Sequence, residues 1–278
     1  MNITMVVVLY NVNPENCKTF HSLKQTLFSS HEPLKDINII LYDNSPDKHD
    51  FTPIGYEGNH ISYVHDPRNL GIATAYNYAL AQAVANGSKW LLLLDHDTEL
   101  TADYFEKVLN LPDLPENVAA VVPKIISENT MISPVYTTSL RPLQGDRPKE
   151  GLQEQEVMAI NSGALLKVDF LQSIKGFNSS FPLDYLDHWL FHQVYAQQRK
   201  VWILPVTLEH ELSVLDYSRV SLKRYQSILN SEINFYQNYK QDLFPAYKKQ
   251  LAKRFLKQLL LVKNKQIALY TLRKFFSI

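Results

Sequence analysis

The first hundred residues predict an α/β fold with a mostly parallel sheet, on three observations. Short apolar runs recur, each ends in a cluster of polar residues, and helix-length segments separate them. "ITMVVVLYN" (3–11) reads as a strand whose continuous apolar core suits burial on both faces. "PENCKTFHSLKQTLFSS" (14–30) follows as a helix opening on proline. "DINIILYDNS" (36–45) and "HISYVHD" (60–66) are the next strands. "GIATAYNYALAQAVANG" (71–87) is a helix whose small residues Gly71, Ala73, Ala75 and Ala79 permit close approach to a backbone or ligand. "KWLLLLDHD" (89–97) is a fourth strand, and "KVWILPV" (200–206) reads as another near the end of the α/β region.

Ligands of such open sheets lie beyond the carboxyl ends of the strands. Three polar clusters fall there: Tyr10-Asn11, Asp43-Asn44-Ser45 and Asp95-His96-Asp97. Turn chemistry explains any one of them, but three in succession point to a site. Neither a Walker loop nor G-x-G-x-x-G is present, which excludes the usual phosphate-loop and dinucleotide fingerprints.

The D-x-D at 95–97 has its own chemistry. Two carboxylates on one side of an extended segment suit a hard divalent cation, Mg²⁺ or Mn²⁺, beside phosphate oxygens. His96 alternates to the other side. A solvated turn and a phosphatase of haloacid-dehalogenase type are the competing readings, the latter weakened by Glu99 where that pattern asks for Thr or Val.

Composition sets outer limits. The 278 residues are 45% hydrophobic, enough for a sizeable core. One cysteine, Cys17, excludes an internal disulfide framework and fits a reducing compartment. The N-terminal apolar run of about seven residues is too short for a signal peptide or span, and no stretch reaches the length of about 18 that crosses a bilayer. The formal charge of +0 hides an asymmetry: residues 240–278 hold ten Lys/Arg and one acid, Asp242, whereas the preceding chain holds 18 bases and 27 acids. A basic tail seeks phosphates or anionic lipid.

"VVVLYN", "LYDNS", "NLGIATAYNYAL" and "LLLLDHDTEL", in this order, resemble the inverting family 2 glycosyltransferases of GT-A fold, with the texture of their bacterial rhamnosyltransferase branch. The resemblance runs over residues 3–215 and continues in "AINSGALLKVDFLQSIKGFNSSFPLDYLDHWLFHQ". It implies a catalytic domain at 1–215 and a basic helical extension at 216–278. It also implies a dTDP- or UDP-sugar donor, dTDP-L-rhamnose first, with Tyr10, Asn11 and Asp43 around the base. Asn69 and Gly71 would then run under the nucleotide with Arg68 a charge partner for the diphosphate, Asp95 would lie near the ribose or sugar, and Asp97 would ligate Mn²⁺ or Mg²⁺. His210 matches a late histidine that approaches the metal. Ser213 and Tyr217 lie in a segment that could fold over the donor.

Inverting transfer needs a carboxylate to take the acceptor proton. Asp187 is the candidate base and Asp184, three residues earlier and able to share its helical face, has a supporting role. The bland reading makes one of them the N-cap of the following helix. The family commonly carries an arginine after this acid, and here the stretch reads "WLFHQVYAQQRK". The segment 137–151 is rich in turn residues and reads as a loop or lid near the acceptor.

From Leu222 onward the chain is helix-compatible, with Leu251, Phe255, Leu259 and Val262 on one stripe. That stripe either lies on an anionic membrane surface, where a lipid-linked glycan would be extended at the inner face of the cell membrane, or packs on the catalytic domain or a second subunit of a homo-oligomer. Nucleic acid is disfavoured as a partner, since the body of the chain is acidic. Besides the phosphatase, a non-catalytic sugar-nucleotide-binding relative stands as an alternative.

Overall fold

Residues 2–28, 36–53, 60–140, 142–209 and 220–278 are described by a computed structural model. Strand β1 (Ile3–Leu9) is buried along its whole length, as its unbroken apolar run demands. Helix α1 (Lys18–Thr26) begins at Cys17, whose Sγ accepts from Phe20 N–H at 3.2 Å. Burial pushes this thiol up to about 11, so it serves as a cap and not as a nucleophile at neutral pH. Strands β2 (Ile37–Asp43) and β3 (His60–His65), helix α2 (Ile72–Ala85) and strand β4 (Trp90–Asp95) complete the series expected from the pattern.

Helix α3 (Ala102–Leu109) is capped by Thr101, whose hydroxyl accepts from Tyr104 N–H at 3.1 Å. There follow β5 (Val118–Ser127), β6 (Thr130–Ser133), β7 (Val135–Tyr136), β8 (Gly151–Leu152), β9 (Val157–Met158) and β10 (Ala164–Lys167). Helices α4 (Val168–Ser173) and α5 (Leu186–Ala196) then lead to β11 (Lys200–Glu209).

Among the described residues the main sheet runs β3-β2-β1-β4-β10-β5-β11-β8, with β6 on β5. The first four strands are parallel, and β11 is parallel to β5. Strand β10 enters antiparallel between β4 and β5, which the sequence pattern alone did not reveal. Its approach is set by Gly163, at φ +81°, whose N–H donates to Leu93 O at 2.8 Å. Chain order reverses at β1, which has β2 on one side and β4 on the other, so a crevice is expected at their carboxyl ends.

The chain divides into two compact units. One holds residues 1–136 and 146–211, and the other 137–145 and 212–278. Part of the expected lid, 137–151, thus belongs to the second unit, with a short 3-10 turn at Pro142–Gln144. That second unit contains α6 (Leu222–Asn238), α7 (Phe244–Leu261) and α8 (Lys265–Ser277). A polar network runs through its mostly apolar core: Tyr225 OH meets Thr271 Oγ1 at 2.6 Å, and Gln258 Nε2 donates to Tyr225 OH at 2.9 Å. Arg254 grips Glu232 through both terminal nitrogens, at 2.5 and 2.7 Å. Of the predicted stripe, Leu251 and Val262 are buried and Leu259 is 38% exposed. Phe255 is half-buried, so the stripe packs inward only in part.

Candidate active site

The acid cluster 95–97 leaves the sheet at once. Asp95 is the last residue of β4, and His96 and Asp97 already form a turn, so the two carboxylates stand on a corner and not along an extended segment as expected. Both are half-buried. What shapes the corner is Thr19 of α1, a residue the sequence did not mark. Its hydroxyl accepts from Thr98 N–H at 3.0 Å and lies against the Asp95 and Thr98 carbonyls, and its own N–H donates to His96 O at 3.3 Å. From the other side Ser162 Oγ accepts from Asp95 N–H at 3.1 Å and meets Thr98 Oγ1 at 2.6 Å. Thr19, Thr98 and Ser162 are wholly buried, so these bonds act in a low dielectric where losing one is costly. The only sequence signal for Ser162 was its place in "INSGALL", directly before the turn into β10.

A second corner forms at the ends of β1 and β2. Asn11, at φ +54°, donates its N–H to Ser45 Oγ at 2.8 Å, and Tyr10 beside it is exposed. Asp43 is fully buried. Its Oδ1 accepts from Ser45 N–H at 2.9 Å and its Oδ2 from Tyr63 OH at 2.6 Å. The Asx-turn is real, and Asp43 in this arrangement fixes the turn that carries Ser45 and Asn11. Burial, then the bond to Asp43, pushes the Tyr63 hydroxyl up to about 12.

The loop between β3 and α2 carries Arg68, Asn69 and Gly71. Arg68 grips Asp66 with Nε and Nη2, each at 2.7 Å, while Tyr42 OH donates to Asp66 Oδ2 at 2.8 Å. The guanidinium, ahead of the tyrosine, holds the Asp66 carboxyl far below the usual range. Asn69 takes a left-handed φ of +46° and Gly71 one of +92°. A Cβ on Gly71 would lie 2.2 Å from the Pro182 carbonyl oxygen, and Ala73 N–H donates to that same oxygen at 3.3 Å. Only glycine lets the start of α2 lie against this segment.

That segment is the one carrying the candidate base. Asn77 of α2 donates to Phe177 O and accepts from Phe177 N–H, both at 2.8 Å, and Gly176 leaves room for it. Tyr185 precedes α5 in the left-handed region, φ +64°, and stacks on His188 at 4.4 Å. A non-glycine residue there stores strain of the kind found at functional positions. Asp187 lies in the first turn of α5 with Oδ1 accepting from His188 N–H at 2.8 Å, whereas Asp184 precedes the helix. The expectation that both share a helical face fails, because Tyr185 turns the chain between them. Neither is the N-cap, a position Tyr185 occupies.

Tyr76 of α2 is wholly buried, with no hydrogen-bond partner for its hydroxyl among the described residues. Burial first, then the charges of Asp95 and Asp187, push that hydroxyl well above its usual value.

Among the described residues no three His, Cys, Asp or Glu side chains gather as a metal cage. A hard cation that keeps its waters and takes phosphate oxygens needs only one or two carboxylates, and Asp95 and Asp97 at one turn fit that demand. His210, like Ser213 and Tyr217, lies outside the described residues.

Residues 4–175 match the sequence family described as Glycosyl transferase family 2. The chain belongs to that family. The enzyme is thus a family 2 glycosyltransferase, which sets aside the phosphatase reading. Its fold resembles that of TarS from S. aureus, with TM-score 0.52 at 16% identity over 95% of this chain and 44% of TarS. A shorter TarS piece in complex with UDP-GlcNAc gives 0.53 at 14% identity over 99% and 80%. The mannosyltransferase PcManGT from Pyrobaculum calidifontis, in complex with GDP-Man and Mn²⁺, gives 0.52 at 14% over 98% and 85%. The glycosyltransferase therefore has the GT-A fold, a mixed and mostly parallel sheet flanked by helices. It spans less than half the length of full TarS. No curated protein sequence matches it.

Proposed function

We propose that residues 1–215 form an inverting, metal-assisted catalytic domain that moves L-rhamnose from dTDP-L-rhamnose onto a hydroxyl of a growing bacterial surface glycan. The acceptor in this reading is lipid-linked, and the extension 216–278 works at the inner face of the cell membrane. The observation that supports this chemistry is the packing of the start of α2 on the segment that leads to Asp187, through Gly71 against the Pro182 carbonyl and Asn77 against the Phe177 backbone.

Tyr10, Asn11 and the Asp43 turn take the base side of the donor. Arg68, held in place by Asp66, supplies positive charge toward the diphosphate, with Asn69 and Gly71 beneath it. Asp97 holds the divalent ion, Mn²⁺ or Mg²⁺, with Asp95 toward ribose and sugar; when bound, the ion offsets charge growing on the departing diphosphate. His210 is assigned to the same ion. Asp187 Oδ1 is occupied by His188 N–H, so Oδ2 is the oxygen that accepts the acceptor hydroxyl's proton. Asp184 supports the acceptor. Holding the two substrates in line supplies much of the remaining rate. Mn²⁺ in PcManGT supports metal use, and UDP-GlcNAc in TarS supports a second reading with a UDP-sugar.

Calorimetric titration with dTDP, UDP, GDP and CMP, with and without Mn²⁺, tests this on wild type and Asp97→Ala. Metal-dependent dTDP binding that the variant loses is expected. Preference for UDP would install the second reading, and no nucleotide binding at all would end both.

A further inference from the structure

Beyond the transfer reaction, we propose that the outward faces of α7 and α8 form a docking surface for an anionic lipid bilayer. This surface is not the stripe read from the sequence. On α7 the buried positions are Tyr247, Leu251 and Gln258, and the exposed ones include Lys249, Lys253, Leu256, Lys257 and Leu260. On α8 Ile267, Ala268 and Thr271 are buried, while Lys265, Leu269, Arg273 and Phe276 follow one another on the exposed side at spacings of four, four and three. Each helix therefore has a closed inner face and a separate outer face on which apolar and basic residues interleave.

The apolar members are more than incidental exposure. Leu260 is 82% exposed, Phe276 77% and Leu261 67%, a costly arrangement for large side chains in water. Their company decides the occupant. From Leu243 to Ile278 the chain holds nine Lys/Arg and no Asp or Glu; Arg254 is paired with Glu232 of α6, and Lys248 Nζ donates to Ile278 O. A second copy of the same face would bring cation against cation, so self-association through it is opposed by charge. Nucleic acid would match the charge and leave leucine and phenylalanine without a partner. An anionic bilayer satisfies both: the apolar side chains enter the boundary between headgroups and acyl chains, and the lysine stems lie along it with their ammonium groups at lipid phosphates. The mode is surface-lying, since among the described residues no helix is long and apolar enough to cross a membrane.

The test is co-sedimentation of the full chain with vesicles of phosphatidylcholine alone or mixed with phosphatidylglycerol. Binding to the mixed vesicles should be at least about tenfold tighter and should weaken as salt rises. Leu260→Ser with Phe276→Ser, and separately Lys253→Gln, Lys257→Gln and Lys265→Gln together, should each lower it about tenfold. All these side chains are exposed, and nucleotide titration of each variant checks that the catalytic unit is intact. Equal binding to neutral and anionic vesicles, no binding to either, or binding untouched by either variant set overturns the proposal. So does concentration-dependent dimerisation abolished by Leu260→Ser. Nucleotide binding and vesicle binding are separate readouts, so either can fail without the other.

Discussion

Asn77 on α2 pairs with the backbone of Phe177 in both directions, donating and accepting at 2.8 Å. One amide thereby fastens the helix behind the loop of Arg68 and Asn69 to the segment that leads to Asp187. Asn77→Ala leaves a part-buried N–H and C=O without partners and should cost about 1–3 kcal/mol. Thermal unfolding should reveal the loss, with acceptor KM rising more than donor Kd. A variant as stable as wild type would show that the segment is held by other means.

Gly71→Ala meets the Pro182 carbonyl and an unfavourable φ together. The expected cost is at least about 2 kcal/mol, since backbone must move and strain is added. Because the collision lies between the loop of Arg68 and Asn69 and the segment that leads to Asp187, activity should fall further than nucleotide affinity does. Gly87→Ala, with open space around the added Cβ and a comparable φ, is the control that separates crowding from conformational strain.

Thr19→Val keeps the shape and removes the hydroxyl under the acid turn. Thr98 N–H is then left buried and unsatisfied, at a cost of about 1–3 kcal/mol. Metal-dependent nucleotide affinity should weaken although Thr19 is assigned no ligand contact. Unchanged affinity in a stably folded variant would mean that Ser162 alone fixes the turn.

Asp187→Asn should lower kcat by about 10²–10⁴-fold with nucleotide binding retained, as expected on removing a general base. Asp184→Asn should act more weakly, and through acceptor KM. If the Asp184 variant suffers the larger loss in kcat, the two roles exchange.

Asp66 provides the pH dependence. Its folded carboxyl is held far below the unfolded value of about 3.9, so the bond to Arg68 contributes stability fully above that value. The contribution fades only as pH falls from there toward the depressed folded value. The difference in unfolding midpoint between wild type and Asp66→Asn should be constant from neutral pH to about 5 and should shrink below about 4. A gap that already closes near pH 6 would assign it to another group.

The catalytic unit was readable where one residue type serves one local purpose. Apolar runs marked β1, β2 and β4, and the polar residues at their ends marked the two corners at 10–11 with 43–45 and at 95–97. Gly71 was marked for its small size, and the partner that makes its size necessary, Pro182, lies 111 positions away in the chain. The antiparallel β10 escaped notice because "ALLK" is too short and apolar to declare a direction. Thr19 and Ser162 escaped because a buried hydroxyl reads as any other Ser or Thr until its partners are known. In the extension, helical period identified a stripe but not which of several apolar faces would close, and Leu251 went inward while Leu260 stayed out.

By itself, then, the sequence determined the order of elements in the first hundred residues, the acid pair at the end of β4, the family resemblance and the charge division between body and tail, because each depends on neighbours along the chain. Tertiary structure alone decided the pairing of Asn77 with Phe177, the Thr19–Ser162 clamp, the burial of Tyr76, and the face that α7 and α8 leave to solvent. Those features join residues distant in the chain, and only packing fixes which of many compatible surfaces meet.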